Sequence, residues 1–537
     1  MPGRGRGRRR SAQPRERRPS QRDQRTARET VEELLRAELG FRGFRPTAEG
    51  EAREAAKWAE RESGPRRDLT ALATFTVDPA TARDFDDAIS AQMEGDGARV
   101  WIHIADVAAH VKPGSVLDQE ARRRGNSTYV PGAVEPMLPH ALSSEACSLA
   151  PGVERLAVTT EVELGPGMVP RRARFYRSRI RSDVRLDYDQ LDEIFAGRSE
   201  PPAEVAEPLA AAREVAAGLG EHRGSSSLDV ESLEPEFQFD AEGNVVAAHR
   251  VPQTEAHRLI ERLMILNNEQ VAELLERERV PAIYRVHAQP DAARIERLLE
   301  QLAALGVPTP PLRQGLAPRE AGQVAAEASR LVRKEAARRG HGREAYTSLV
   351  LRSLKQAYYS ERNIGHAGLG SAAYCHFTSP IRRYPDLVCH RALLAAIGEG
   401  EEAPSLAECR DAAADSSARE RTSAQIEREA DDVCAAYLLE RELGERGLDA
   451  VFEGEVSGVI RSAAFVSFGG ELGDVYEGML PARRLAGERY ELDRAEVALV
   501  GRGSGARVSL GDPISVRVAG VDAPRGRAEL APAGEPD

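Results

Sequence analysis

An α+β protein ending in a small β-barrel is what this sequence predicts, on three observations. Between Thr74 and Ile180 apolar residues recur at period two, the mark of half-buried strands. From His257 to Arg441 the period changes to about 3.6 residues, the mark of helices packed by one face. From Val451 onward short β-rich runs return, separated by glycine-bearing turns, and such runs close most simply into a barrel. At 537 residues the chain is long enough for several domains.

Taken in order, residues 1 to 28 hold eleven arginines against Glu16 and Asp23, a local charge of +9, so the whole-chain −12 leaves −21 for the rest. Almost devoid of apolar residues, this stretch is expected to be a disordered Arg-rich arm. Residues 29 to 64 read as a helical linker, with helical patterns over Val31 to Leu39 and Glu51 to Glu62. A main domain is expected over 65–445 and the barrel over 450–535. Because the body is acidic, any nucleic-acid groove has to be built from clustered arginines, lysine occurring only at Lys57, Lys112, Lys334 and Lys355. The five cysteines lie far apart with no C-x-x-C pair, which argues against a zinc ribbon or a disulfide framework and suits a reducing cytoplasm. With no long apolar run and no charged-then-apolar leader, neither a membrane span nor a secretory signal is expected.

The main domain opens with a strand over Thr74 to Asp78 that stops at Pro79, and Asp78, Asp84, Asp86 and Asp87 follow within ten residues. In an extended chain Asp84 and Asp86 share one face while Phe85 points inward. Carboxylates crowded at a strand end repel one another unless neutralised, and a hard cation such as Mg²⁺ takes oxygen ligands of this kind. An EF-hand loop is disfavoured, since counting from Asp78 the sixth position is Arg83 instead of Gly and the twelfth Ile89 instead of Glu. A solvated acidic turn is the alternative, and the interleaved Phe75, Val77, Phe85 and Ile89 weigh against it.

Next come strands over Ala88 to Met93 and Val100 to Val107, joined by a Gly95-Asp96-Gly97 turn. His103 and Asp106 on the second are candidates for a supporting role beside the acids, or for ordinary packed polar residues. The turn-rich segment Arg124 to Pro131 suggests a rigid loop displaying Tyr129, either to stack on a base or to bury an edge against the core. Strands follow over Leu156 to Val162 and Arg171 to Ile180. Helices are expected over His257 to Leu275, Leu298 to Ala304 and Ala345 to Ser360. On the first, His257 and Glu261 share a side. The segment His376 to Leu387, with Ser379, two prolines, Arg382 and Arg383, reads as a non-helical bend that presents guanidinium into a site. Cys409 to Arg441 reads as an exposed scaffold helix. Barrel strands are expected over Val451 to Val459, Ala464 to Phe468, Val475 to Leu480, Gly505 to Leu510 and Ile514 to Val521, the pattern of a small OB-type fold.

Together these motifs resemble the RNB family of processive exoribonucleases, nearer to RNase R than to RNase II. The resemblance rests on T-x-D with D-F-D-D-A-I-S at Thr76 to Ser90, W-I-H-I-A-D-V, R-G-x-S-x-Y at Arg124 to Tyr129, A-H-R-L-I-E with M-I-L-x-N at Ala256 to Asn268, Y-R-V-H at Tyr284 to His287, and H-F-T-S-P-I-R-R-Y-P-D-L. It implies an RNB catalytic domain followed by an S1-type OB fold, in a member lacking the upstream cold-shock domains. It implies Mg²⁺ held by Asp78, Asp84, Asp86 and Asp87, with Asp86, Asp87 and Arg382 catalytic and Asp86 the least replaceable. Tyr129 is expected to stack on the 3′-terminal base, Glu261 to lie near the last nucleotide, and His376, Ser379 and Arg383 to contact RNA. The implied activity is hydrolysis of single-stranded RNA from its 3′ end to 5′-mononucleotides, by a cytoplasmic monomer with no membrane partner. An RNA-binding protein with an inactive nuclease domain is the rival reading. The chain departs from the family pattern at Arg262, where a second glutamate is common, and at Val130, where an aromatic residue is common.

Overall fold

The computed structural model describes residues 25–41, 43–61, 65–223, 234–311, 316–470, 473–485 and 487–534. Most of the expected arm, residues 1 to 24, lies outside these. Its last residues do not continue as an arm, because a helix runs over Ala27–Leu39 with Thr26 as cap, its side chain accepting the Glu29 N–H. Val31 and Leu35 on one face are buried.

The strands of the first half form one seven-stranded sheet in the order Arg67–Asp68, Pro170–Arg181, Glu154–Leu164, Gly97–Ala105, Asp87–Glu94, Phe75–Val77, Val184–Leu186. The five inner strands pair antiparallel, and a short parallel strand closes each edge. Phe75 lies opposite Ile89, so the loop between Val77 and Asp87 leaves and rejoins the sheet at the same end. The register therefore gathers the acids on one rim. The strand expected to reach Val107 stops at Ala105, and Asp106 caps the short helix Val107–His110. Helices Ala206–Arg223 and Glu255–Arg277 pack on the sheet, and the main apolar core lies between.

Three expected elements differ from those observed. The helix begun at Ala345 ends at Ser353, and Tyr358–Ser360 is a strand paired with Tyr284–Val286. Adjacent tyrosines favour a strand once an edge is available to pair with. The helix over Cys409 to Arg441 extends over Leu406–Arg446, 41 residues, and is not a solvated scaffold. Small residues including Cys409, Ala412, Ala413, Ser416, Ser417 and Ala430 form a buried stripe on it, and small side chains bury a helix without giving it an apolar appearance. The closed barrel consists of Val451–Ile460, Ala463–Gly470, Gly473–Pro481, Pro513–Asp522 and Arg527–Pro532. The expected strand near Gly505 belongs elsewhere: Arg507–Ser509 joins Tyr490–Leu492 and Ala498–Gly501 in a separate three-stranded sheet. The fifth barrel strand carries Ala528, Ala531 and Pro532 around a fully buried Leu530, a composition with little strand signal of its own.

A second core joins the barrel to the rest. Phe452, Phe468 and Leu480 from the barrel meet Ile426 and Leu439 of the long helix, Val31 of the first helix and Val130. Val130 is thus the anchor that seats its neighbour Tyr129 between the seven-stranded sheet and the barrel side.

Candidate active site

The ten site residues expected from the sequence all line one cavity of about 670 Å³. Asp78, Asp84, Asp86 and Asp87 come from the loop at the sheet rim. Asp86 is 3% exposed, its Oδ1 accepts the Ile381 N–H at 2.9 Å, and its backbone carbonyl accepts the Ala105 N–H at 2.9 Å. Both bonds fix the carboxylate before any ligand arrives. Burial and the neighbouring Asp87 and Asp86 push Asp78 up to about 8, while burial pushes Asp86 up to about 8 against the pull of Arg382. Burial also raises Asp87, to about 6, offset by Arg382 and Arg383.

Across the cavity stands the bend from His376 to Arg383. It is shaped from below, since Asn268 Oδ1 on the helix Glu255–Arg277 accepts the Phe377 N–H at 2.9 Å. Asp386, in the first turn of the helix Tyr384–Ala396, accepts the Ser379 N–H at 2.8 Å and Arg383 Nη2 at 2.8 Å. Arg383 is therefore occupied and Ser379 is buried. Arg382 differs: its side chain is 46% exposed, and its closest carboxylate is Asp86, 3.3 Å from Nε. His376 bonds through Nδ1 to Tyr359 Oη at 2.8 Å, and burial with Arg383 nearby holds it well below its ordinary range, so the ring is neutral. Glu261 is exposed at the rim and accepts Gln253 Nε2 at 3.0 Å.

Tyr129 is 40% exposed on a hairpin of Thr128–Val130 and Ala133–Glu135. Its hydroxyl donates to Asp84 Oδ2 at 2.7 Å. The hairpin is held from two sides. Ser423 of the long helix bonds Thr128 Oγ1 at 2.8 Å and Asn126 Nδ2 at 2.9 Å. Arg124, fully buried, bonds Glu120, Glu135, the Pro136 carbonyl and the Gly43 carbonyl, with Phe44 under its guanidinium at 3.8 Å. Gly125 between them has φ +77°, and a Cβ there would lie 2.7 Å from Arg419 Cβ, so both backbone and space require glycine.

Asp78 Oδ2 and Asp86 Oδ2 are buried without a hydrogen-bond donor. The orphaned Asp78 oxygen and an Asp86 oxygen met only by the Arg382 ion pair at 3.3 Å stand beside two further carboxylates as a hard, anionic donor set, and the residues fit a divalent cation by that chemistry. Among the described residues no three acidic, histidine or cysteine groups already stand at the spacing that a bound ion imposes.

The structure gives His103 and Asp106 structural roles. His103 bonds Thr159 Oγ1 at 2.8 Å and Ser90 Oγ at 3.3 Å, and Asp106 pairs with Arg66 at 2.8 Å and Arg177 at 3.0 Å. Sequence reading missed Asn268 and Tyr188, which also line the cavity, Tyr188 stacking on His257 at 4.0 Å. A signal for the first was present, since Asn267 and Asn268 interrupt the apolar face of their helix. The expectation of an arginine-built groove is not met on the barrel side. A groove of about 1050 Å³ running from Tyr129 between the long helix and the barrel is lined by six carboxylates, from Glu344, Glu427, Glu429, Asp431, Asp432 and Glu477, against Arg250 and Arg428.

Residues 66–399 match the RNB domain model. Ribonuclease R of Vibrio parahaemolyticus is 34% identical over 477 residues, 85% of this chain and 55% of that protein. This chain thus spans about half the length of the curated relatives it matches. Among solved structures it is similar to Mycoplasma genitalium RNase R in complex with ribose-methylated single-stranded RNA, with TM-score 0.83 and 26% identity, covering 94% of this chain and 77% of that one. The fold is also that of yeast Ssd1, a pseudonuclease, with TM-score 0.64 and 20% identity over 88% of this chain and 58% of that one.

Proposed function

This chain belongs to the RNB family, and from that premise we propose that it is a Mg²⁺-dependent exoribonuclease that hydrolyses single-stranded RNA processively from its 3′ end and releases 5′-mononucleotides. A fold shared with a pseudonuclease does not by itself carry activity, so the reading rests on the site. Its main support is that four aspartates, an arginine held only loosely and an exposed tyrosine line one cavity.

Asp78, Asp84, Asp86 and Asp87 would hold the cation. Bound there, it lowers the pKa of water and screens charge on the phosphate. Arg382 is the guanidinium free to turn toward the scissile phosphate, since Asp86 is its sole close carboxylate among the described residues. Its two parallel N–H groups match phosphate oxygens and offset the extra negative charge of an in-line transition state. Arg383 keeps the bend in shape through Asp386, leaving Arg382 to reach the substrate. Tyr129 offers its ring to the terminal base, and stacking accepts any base, as decay without sequence preference requires. Glu261 lies at the rim, where the last nucleotide's sugar would pass.

Hydrolysis adds water across one P–O bond, leaving a new 3′ hydroxyl on the shortened RNA and a 5′-phosphate on the released nucleotide. Among the described residues no helix is long and apolar enough to cross a membrane, and the five cysteines are free and buried.

The test is a time course with 5′-labelled unstructured RNA and Mg²⁺, beside Asp86→Asn and a 3′-blocked substrate. A short end product that appears early and is lost with the variant and the block is expected. Internal cuts that survive the block would establish an endonuclease instead, and binding without cleavage would establish an RNA-binding protein.

A further inference from the structure

The groove that opens on Tyr129 is acidic, and the chain carries its electrostatic complement. Its lining sets six carboxylates against Arg250 and Arg428, a formal −4, and Arg250 is already paired with Glu344 at 3.4 Å. Asp432 and Glu477, both exposed in the groove, form no ion pair among the described residues. Desolvation by the groove walls raises both carboxyls above their ordinary range, with Glu429 adding to the first and Asp432 and Glu344 to the second. Like charges lined along one channel repel one another and repel an RNA backbone. What fits there is an extended chain rich in cations.

Residues 1 to 24 have that composition, nine arginines against Glu16 and Asp23, a formal +7. Their attachment point lies beside the groove. Arg28 holds its guanidinium over the Phe239 ring, 5.1 Å from the centroid, and its backbone N–H donates to the Gly243 carbonyl at 3.1 Å. Phe239 ends the strand Glu234–Phe239, on which Pro235 and Phe237 line the groove, and Phe237 and Phe239 pack against the same core. The long helix, which forms another wall, is met by the same segment, Thr30 Oγ1 bonding Tyr437 Oη at 3.0 Å. The arginine-rich stretch therefore enters the described structure on two elements that build the groove, and 24 extended residues span about 80 Å.

We propose that residues 1 to 24 dock in this groove and reverse its sign, so that the barrel side of Tyr129 presents arginines to RNA in place of carboxylates. The docking stands apart from the nuclease reading, and the role toward RNA rests on it. A formal +7 laid on a formal −4 leaves +3 along the groove, which turns repulsion of a phosphate backbone into attraction. Guanidinium suits both partners, since its planar fork pairs with a carboxylate on one edge and keeps N–H groups for a phosphate on another. The carboxylates then hold the arm in place, and the arginine-built groove that an acidic body requires is assembled from two distant parts of the chain.

The test is a pulsed electron-spin distance measurement on the full chain, with spin labels at Ser11→Cys in the arm and Gln425→Cys on the groove wall. The five native cysteines are buried, so labelling is confined to the two introduced ones. One narrow distance distribution is expected without metal or RNA, and it is expected to persist when the labelled chain is diluted with excess unlabelled chain. Asp432→Lys with Glu477→Lys changes two exposed side chains, brings the groove to formal neutrality and is expected to broaden the distribution. Salt at about 1 M, which screens charges beyond about 3 Å, is expected to do the same without any substitution. With unstructured RNA in chelator the narrow distribution is expected to remain. The proposal is overturned if the wild-type distribution is broad, or if neither the double variant nor salt changes it. Loss on dilution would overturn it by assigning the groove to the arm of a second copy, and release of the arm by RNA would overturn it by making the arm a competitor of RNA. Cleavage enters none of these measurements, so an inactive nuclease leaves the docking standing, and failed docking leaves the nuclease reading standing.

Discussion

Tyr129 donates its hydroxyl hydrogen to Asp84 Oδ2 at 2.7 Å, so the ring proposed to stack on RNA and a carboxylate proposed to hold the cation are directly bonded. Either ligand, on binding, has to accommodate the other's anchor. On the proposed function, substrate and cation would be coupled through this one bond.

Separating ring from hydroxyl tests that coupling. Tyr129→Phe is expected to keep RNA affinity and to change the cation concentration at half-maximal rate, because Asp84 loses its donor. Tyr129→Ala is expected to weaken RNA binding by about 1 to 3 kcal/mol, the value of one base stack. Filter binding and a cation titration of the two variants check it.

Asp86→Asn keeps the oxygen that accepts the Ile381 N–H and removes the carboxyl that would ionise to hold a cation at a crowded, buried position. Cleavage is expected to fall on the order of a thousandfold or more while RNA still binds. In chelator the variant is expected to melt no lower than wild type, since burial already holds the Asp86 carboxyl up at about 8 and largely uncharged at neutral pH. A lower melting temperature would show that Asp86 is a structural residue.

Arg124 is buried among Glu120, Glu135 and two carbonyls at the base of the Tyr129 hairpin. Arg124→Met is expected to destabilise the protein by about 3 kcal/mol, toward the low end for a broken buried pair, because Glu120 keeps Arg45 and Arg123. Denaturant unfolding measures the loss. RNA affinity is expected to drop as well, since the hairpin loses its footing.

Burial would raise the Asp106 carboxyl, but Arg177 and Arg66 hold it down at about 2. A depressed carboxylate stabilises the fold above its unfolded pKa, near 3.8, and loses that contribution as pH falls toward 2. The contribution at neutral pH is about 2 kcal/mol. Asp106→Asn is expected to remove it at pH 7 and to flatten the acid limb between pH 4 and 2 in stability against pH.

The acidic motif, the arginine bend, the tyrosine loop and the division into sheet, helices and barrel were legible because each is local. Period, turn residues and spacing are short-range properties, and Asp86 two residues after Asp84 needs no fold to be noticed. The long helix was misjudged because its buried stripe is made of alanine, serine and cysteine, whose burial depends on what packs against them. Arg507–Ser509 was taken for a barrel strand because a three-residue run does not state its partner.

The sequence by itself determined which residue types carry the chemistry and the local backbone that presents them. Tertiary structure alone decided that residues some 300 positions apart, Asp86 and Ile381, share a hydrogen bond. It also decided that Arg382 is spare while Arg383 is occupied, and that Glu261 and Arg262 face different cavities. The reason is that charge and exposure are set by neighbours brought in from distant parts of the chain, and a one-dimensional pattern holds no record of those distances.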